Sequence, residues 1–251
     1  YPRINRALRA EGTKRANPKH SHGFEAQRSA GARRYRATVQ RANWITPTIR
    51  DITLQLPQDG TWDAGQYALV RVAPFEWRPY SIASAPGKAV RLLVDVRTQG
   101  HGAAWARHAQ SGDEVDLELP YGHFLHDTAA GGTHADAPSP CRRVFVATGT
   151  GIAPFLAEFE RGIRADDVLL LGLATTSDDL TTRLDAPLPR VIRCVSREKT
   201  PETFHGRVTD YLRTTGIDPQ ADYYACGSPL MVTDVAHLIR AAGGYVHTES
   251  F

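Results

Sequence analysis

The chain changes its hydrophobic pattern once, near its middle, and that change limits the folds open to it. From residue 35 to residue 119, apolar and polar residues alternate with a period of two, which is typical of half-buried strands. Turn residues such as Pro, Gly and Asp separate these stretches. Short strands at this spacing favour a small antiparallel β-barrel of six strands. The predicted strands are 35–39, 48–56, 66–72, 78–84, 90–97 and 114–119, and one helical stretch, 102–110, interrupts them.

From residue 143 onward, predicted strands alternate with predicted helices. Such alternation favours a parallel sheet with right-handed crossovers. Ligands of these sheets bind at the carboxyl ends of the strands. The fold class is therefore two domains, an antiparallel six-stranded β-barrel followed by an α/β domain with a parallel sheet. The predicted strands are 143–147, 168–173, 191–195, 223–225 and 245–248, and the predicted helices are 152–163, 208–215 and 229–242.

The charge of the chain is unevenly spread. Residues 1–36 contain ten Lys and Arg against two acidic residues, a balance of +8, while the remainder has a balance of −5. Residues 1–34 therefore form a basic arm or an interdomain linker, which precedes a barrel domain at 35–125, a connecting loop at 126–142 and an α/β domain at 143–251. The arm is either an electrostatic hook for an acidic partner or a solvated linker of a longer protein. The start at Tyr1 rather than Met favours the longer protein, with a further domain upstream.

Composition excludes several classes of protein. No apolar run approaches the ~18 residues of a membrane helix, and no signal-peptide pattern opens the chain. Cys141, Cys194 and Cys226 are widely spaced, and the sequence has no CxxC motif or Cys/His cluster. We therefore expect no zinc, iron–sulfur or other metal site. An odd number of widely spaced cysteines favours a reduced, cytoplasmic setting.

One predicted strand contains several side chains that can bind a ligand. Its residues include Arg78, Pro79, Tyr80 and Ser81. Arg78 can neutralise a phosphate. Tyr80 shares its strand face and offers a flat apolar ring with a polar tip, while Ser81 points to the other face. This combination suits a strand that holds a flavin by its diphosphate, ring face and ring nitrogen. An ordinary strand with a surface arginine is the alternative.

A glycine-rich turn follows the first strand of the predicted parallel sheet. Gly149, Thr150 and Gly151 precede a helix that has Pro154 in its first turn. Glycines let the backbone approach a phosphate, and the helix N-terminus adds free N–H groups. The turn departs from the GxGxxG dinucleotide pattern because Pro154 replaces the third glycine. Taken alone, such a turn is weak evidence for a nucleotide site.

Two further strand ends contain polar or reactive side chains. Ser196 and Arg197 follow one strand, and Arg207 lies ten residues beyond Arg197. Two arginines and a serine can bind an extra phosphate, although surface charge is the alternative. Cys226 follows the next strand and precedes a helix that starts at Pro229. A buried, unreactive thiol is the alternative for Cys226.

The order of these parts resembles the ferredoxin–NADP reductase family. The resemblance covers roughly residues 35–251 and leaves out the arm. Five motifs in the right order make it specific, although none is decisive alone. They are Arg-Pro-Tyr-Ser at 78–81, Gly-Thr-Gly-Ile-Ala-Pro at 149–154, Ser-Arg-Glu at 196–198, Cys-Gly-Ser-Pro at 226–229 and Glu-Ser-Phe at 249–251.

The resemblance implies a flavin site in the barrel. Arg78 would bind the flavin diphosphate, Tyr80 would lie along the isoalloxazine ring, and Ser81 would hydrogen-bond flavin N5. Backbone amides of Gly102, Ala103 and Ala104 would bind the diphosphate. Family members often have Ser or Thr where Ala104 stands, so one phosphate hydrogen bond is missing here.

The resemblance also implies a nicotinamide nucleotide site. Gly149, Thr150 and Gly151 would receive the nucleotide, and Pro154 would shape the loop. Cys226 would lie beside the nicotinamide ring. The catalytic set is Ser81, Cys226 and Glu249, in which Ser81 and Glu249 form a polar relay near N5. The terminal Phe251 would cover the flavin and yield to nicotinamide.

Coenzyme preference is a separate expectation. Ser196, Arg197 and Arg207 fit a pocket for the 2′-phosphate, which favours NADPH over NADH. Many members also have an arginine directly after the strand that ends at residue 173, where this chain has Ala174. That departure weakens the preference for NADPH.

The resemblance implies an FAD-dependent enzyme, with FMN less favoured than FAD. It would take hydride from NAD(P)H and pass electrons to a ferredoxin-like or oxygenase-type acceptor, or to an upstream redox domain of a longer chain. A non-catalytic module that holds flavin or nucleotide and docks through its basic arm is the alternative. A nucleic-acid binder is disfavoured because residues 1–36 offer few aromatic side chains for base stacking.

Overall fold

The first domain of the computed structural model is a curled antiparallel sheet of six strands. The structure describes residues 28–125 and 141–250. The strand order is β4-β3-β6-β1-β2-β5. The elements are β1 (Arg28–Thr46), β2 (Ile49–Gly60), β3 (Tyr67–Ala73), β4 (Glu76–Ser81), β5 (Gly87–Asp95), α1 (His101–His108) and β6 (Glu114–Tyr121).

The sheet closes on itself just beyond the end of β4. Ile82 forms an antiparallel bridge with Leu92 of β5, and the Ala83 N–H donates to the Arg91 carbonyl at 2.8 Å. Alternate residues of β1, β2, β3 and β6 point into the enclosed core, where side chains such as Val39, Leu54, Val70 and Leu117 are fully buried. The predicted six-stranded antiparallel barrel is confirmed. Its period-two pattern reflects one buried and one solvated face.

Strand β1 begins seven residues earlier than the pattern predicted. Arg33 and Arg34 pair with Leu119 and Glu118 of β6, and Arg34 Nε donates to Glu118 Oε1 at 2.8 Å. This part of β1 has no apolar alternation, so the pattern does not reveal it. Backbone pairing and ion pairs hold it on β6 instead. The proposed boundary at residue 34 thus falls inside β1. Residues 1–27 of the proposed arm lie outside the described residues.

The second domain is a parallel six-stranded sheet with the order β10-β9-β8-β7-β11-β12. The prediction of a parallel α/β domain is confirmed. The two-residue β10 is too short to produce a sequence pattern, and a 3₁₀ turn, Gly149–Ile152, delays the start of α2 by one residue. The elements are β7 (Arg143–Thr148), α2 (Ala153–Arg161), β8 (Val168–Leu173), β9 (Arg190–Val195), β10 (Phe204–His205), α3 (Val208–Thr215), β11 (Asp222–Gly227), α4 (Pro229–Ala241) and β12 (Tyr245–Ser250).

The two domains share one hydrophobic cluster. Leu93 and Leu125 from the barrel are buried together with Phe155 and Leu171 from the α/β domain. Hydrogen bonds also cross the boundary: Arg183 Nη1 donates to the Ile45 carbonyl at 2.8 Å. This packing fixes the barrel relative to the parallel sheet.

Two further predictions concern membrane-spanning helices and the connecting loop. No helix in the two described ranges is long and apolar enough to cross a membrane. Most of the proposed connecting loop, residues 126–140, lies outside the described residues, as does Phe251.

Candidate functional site

Two clefts lie on either side of the turn that follows β7. The first, of about 420 Å³, lies between the barrel and the α/β domain, and the second, of about 380 Å³, lies over the carboxyl ends of β8 and β9. Thr150 lines the first cleft and Gly149 lines the second. Predicted site residues that line the first cleft are Arg78, Pro79, Tyr80, Ser81, Gly102, Ala103 and Glu249. Those that line the second are Ser196, Arg197 and Arg207.

Tyr80 forms part of the wall of the first cleft where β4 meets α1. Its ring tilts against Trp105 at a centroid distance of 6.0 Å. Burial raises the pKa of Tyr80 to about 12, so its hydroxyl stays protonated. A Cβ on Gly102 would lie 2.5 Å from the Tyr80 hydroxyl oxygen. Glycine at this position therefore lets the tyrosine hydroxyl rest directly on the helix backbone.

The N-terminus of α1 is open to an anion. Gly100 precedes the helix with φ 136°, and no side chain caps the first turn. The leading N–H groups of such a helix attract anions. The Ala104 N–H already donates to the Gly100 carbonyl at 3.0 Å, and Ala104 is not among the residues that line the cleft. The amides nearer the helix start are therefore the ones that face a ligand.

Glu249 and Cys226 are neighbours on adjacent strands. They are register partners in the parallel pair of β11 and β12, and the Cys226 thiol lies 4.0 Å from Glu249 Oε2. Burial raises the pKa of Glu249 to about 7. Burial, and to a smaller extent the Glu249 charge, raise the pKa of Cys226 well above its ordinary value. The structure thus gives a carboxyl that titrates near neutrality beside a thiol that stays protonated.

Tyr67 is a site residue that the sequence did not reveal. It lines the first cleft with Ser81, its register partner on β4. Its ring stacks on Tyr121 at 5.7 Å, and burial followed by the Glu249 charge raises its pKa. In the sequence it is one apolar position in an alternating strand. Its place in the site is recognisable only from its pairing with Ser81 on the neighbouring strand.

The turn after β7 interlocks with the turn after β11. A Cβ on Gly151 would lie 2.2 Å from the Cys226 carbonyl oxygen, and one on Gly227 would lie 2.4 Å from Thr148 Oγ1. The Ser228 N–H donates to Thr148 Oγ1 at 3.1 Å. These glycines are required by backbone contact between the turns. Pro154 is buried in the first turn of α2, as expected from its missing N–H.

The second cleft contains arginines without carboxylate partners. Among the described residues, the side chains of Arg197 and Arg207 form no ion pair, and both are exposed. Ser196 Oγ donates to the Leu173 carbonyl at 3.2 Å, which fixes the serine at the end of β9. The structure therefore brings the predicted phosphate-binding group together.

Arg97 adds a third cation to the second cleft from the barrel side. Its Nε donates to Asp95 Oδ2 at 2.9 Å, and Asp95 lines the first cleft. The pKa of Arg97 is raised, chiefly by its hydrogen bond with Asp95. Sequence patterns do not reveal Arg97 as a cleft residue, because it follows a barrel strand while most residues of the second cleft belong to the α/β domain.

Comparison with known proteins finds similarity to an oxidoreductase domain and to proteins of oxygenase systems. The family model of the oxidoreductase NAD-binding domain matches residues 145–237. Terephthalate 1,2-dioxygenase, reductase component 2, from Comamonas sp is 28% identical over 234 residues, which cover 86% of this chain and 67% of that protein. The phenol hydroxylase P5 protein of Acinetobacter pittii (strain PHEA-2) is 27% identical over 241 residues, which cover 86% of this chain and 65% of that protein. This chain thus spans about two thirds of the length of these curated relatives.

Among solved structures, a ferredoxin NADP⁺ reductase from Neisseria gonorrhoeae with bound FAD and NADP has the same fold. The two structures match with a TM-score of 0.71 at 20% identity, over 88% of this chain and 99% of that one. In this chain, the order of the two domains and the positions of the two clefts agree with the order of the motifs along the sequence. The chain therefore resembles the ferredoxin–NADP reductase family in the order of its motifs and in its two-domain fold.

Proposed function

We propose that this chain is an FAD-dependent oxidoreductase that takes hydride from NADPH and passes electrons to a ferredoxin-like or oxygenase-type acceptor. The observation that carries this proposal is the position of the two clefts on either side of one turn. Thr150 lines one cleft and Gly149 the other, so ligands in the two clefts approach each other at this turn. Direct transfer requires such proximity and alignment.

The residues of the first cleft fit a flavin dinucleotide. Arg78 and the uncapped N-terminus of α1 provide positive charge for the diphosphate. The half-buried ring of Tyr80 lines the cleft beside Gly102. Because Gly102 has no Cβ, there is room for the tyrosine hydroxyl. When bound, FAD supplies hydride acceptance at N5 and release of electrons one at a time. The protein supplies binding, alignment and exclusion of water.

Glu249 and Ser81 are proposed to handle a proton near N5. Both line the first cleft. Because the pKa of Glu249 lies at about 7, its carboxyl can hold or release a proton at neutral pH. The Ser81 hydroxyl can both donate and accept, so it can relay that proton. Cys226 lies next to Glu249, but its side chain is fully buried and lines neither of the two clefts. Its place beside the nicotinamide stays a prediction.

The preference for NADPH rests on the unpaired arginines of the second cleft. Arg197 and Arg207 present two charges, with Ser196 between them and the strand end. A 2′-phosphate would give these arginines the anionic partner that they lack among the described residues. Ala174 opens the loop after β8 without adding a further charge.

The acceptor is inferred from the relatives. One of them is named as a reductase component of terephthalate 1,2-dioxygenase, and another is named as the P5 protein of phenol hydroxylase. We therefore place an oxygenase or its ferredoxin, or a redox domain upstream in the same polypeptide, as the acceptor for this chain. A cytoplasmic setting is part of the proposal and is supported by three free cysteines.

The second candidate is a non-catalytic flavin or nucleotide module that docks through its basic arm. The balance of +8 in residues 1–36 favours it. A carboxyl with a pKa of about 7 beside Ser81 disfavours it, because a binding module needs no proton relay.

An anaerobic titration of the FAD-reconstituted protein separates the two candidates. The flavin absorbance should bleach with one equivalent of NADPH, and much less readily with NADH. Bleaching by NADH alone would retain the enzyme and overturn the preference for NADPH. A flavin that binds but resists both coenzymes would support the non-catalytic module.

A further inference from the structure

Arg78, which lines the first cleft, belongs to a cluster with Glu76 and His101, two residues that the family motifs do not include and that lie just outside the lining of the cleft. One carboxylate oxygen of Glu76 pairs with Arg78 Nη2. The other lies 2.5 Å from His101 Nδ1. The carboxylate of Glu76 therefore bridges the predicted diphosphate arginine and a histidine.

The fold brings these residues together from two elements. Glu76 begins β4 two residues before Arg78, so both side chains lie on one face of the strand. His101 is the first residue of α1, whose first turn has no side-chain cap. The backbone of Gly102 lies against Tyr80 and Arg78 and fixes this helix end beside the strand. The Glu76 carboxylate thus stands at the N-terminus of α1, between the Arg78 guanidinium and the His101 imidazole.

We propose that Glu76 is an internal stand-in for the FAD diphosphate and that His101 is a further diphosphate-binding residue of this chain. The inference rests on the proposed function, because it requires FAD to bind the first cleft. A carboxylate and a phosphate share the same partners, namely arginine, protonated histidine and helix N-termini. On binding, the diphosphate takes over both partners and Glu76 turns toward solvent.

The departure at Ala104 gives His101 a specific role. Ala104 has no hydroxyl, and its N–H already donates to Gly100. A donor from the start of the same helix replaces the missing phosphate contact. His101 is exposed, with 65% of its side-chain surface accessible, and can turn toward a diphosphate. The pKa of Glu76 is lowered, with the His101 hydrogen bond as the largest cause, so the carboxylate is charged while it contacts Arg78 and His101.

The first test measures the affinity of the flavin-free protein for FAD and for riboflavin, which lacks phosphate. His101→Gln should weaken FAD binding about tenfold, the value of one charge-assisted hydrogen bond. It should leave riboflavin binding unchanged. His108→Gln is the matched control, because His108 ends the same helix and points to its own Ala104 carbonyl. Equal FAD affinity in the two variants would overturn the role of His101.

The second test changes Glu76 in the opposite sense. Glu76→Gln removes the competing charge, so FAD and inorganic pyrophosphate should both bind several-fold more tightly. If Glu76 instead holds Arg78 in place for the ligand, FAD binding by this variant would weaken, and that result would overturn the stand-in role. Glu114→Gln, which breaks an exposed pair with Arg36 on the far strand, is the control.

Different results would overturn the proposed function and the roles of Glu76 and His101. A protein that binds neither FAD nor riboflavin would overturn the proposed function, and this inference with it. A protein that binds FAD normally but ignores both substitutions would overturn only the roles of Glu76 and His101.

Discussion

At the residue scale, Gly102 shows how one missing methyl group shapes a cleft. Its Cα faces the Tyr80 hydroxyl so closely that a Cβ would lie 2.5 Å from the oxygen. The tyrosine is half-buried and packs against Trp105, which limits its freedom to turn away. The residue thus links the position of a helix to the position of a ring.

Gly102→Ala should weaken FAD binding about tenfold, because overpacking of 1–3 kcal/mol displaces the Tyr80 ring. Helix stability should not fall, since alanine favours a helix over glycine by about 0.5–1 kcal/mol. Calorimetric titration with FAD and thermal unfolding measure the two effects. Adding Tyr80→Phe removes the clashing oxygen, so the double variant should recover part of the affinity. No recovery would contradict this account.

Glu249 predicts a specific dependence of stability on pH. Its pKa is about 7 in the folded protein and about 4.5 when exposed, so the folded state binds the extra proton between these values. Stability from this group is complete below pH 4.5 and is lost as pH rises through 7. Because the carboxyl retains some exposure, we expect a loss of roughly 2 kcal/mol.

Urea unfolding of the flavin-free protein between pH 5 and pH 8 tests this expectation. Glu249→Gln should flatten the pH profile over that range and be more stable than the parent at pH 8. Parallel profiles for the two proteins would assign the pH dependence to other groups.

At the element scale, contacts within one segment were predictable and contacts between segments were not. Ser81 and Arg78 were found because they belong to one strand. Tyr67 and His101 give no such signal, because their positions beside Ser81 and Glu76 come from pairing between strands and from the approach of α1. Strand β1 was predicted too short for a related reason, since its first residues are held by β6 rather than by an apolar pattern.

The ends of β8 and β9 carry a prediction about coenzyme choice. Arg197→Gln and Arg207→Gln should each raise KM for NADPH about tenfold through loss of one charge-assisted contact, and leave KM for NADH unchanged. Steady-state reduction of an artificial electron acceptor provides the measurement. Arg213→Gln, an exposed arginine on α3 paired with Asp210, is the control. Equal effects with both coenzymes would place these arginines away from the 2′-phosphate.

At the scale of the whole molecule, the shared cluster predicts that the domains unfold together. All four tryptophans, Trp44, Trp62, Trp77 and Trp105, lie in the barrel, while three of the four α-helices in the described ranges lie in the second domain. Tryptophan fluorescence and far-UV circular dichroism therefore report on different domains. Their unfolding curves in urea should coincide. Two separate transitions would show that the interdomain packing contributes little to stability.

The two walls of the first cleft come from distant parts of the chain. Ser81 and α1 are made early, whereas Glu249 lies on β12, which follows every other strand. During synthesis on the ribosome, the barrel can therefore form with one wall of the cleft absent. A nascent chain presents its ring-binding strand to the surrounding solution until β12 pairs with β11. We expect flavin to be held firmly only after that last strand has emerged, so translation itself sets the moment at which the protein acquires its colour.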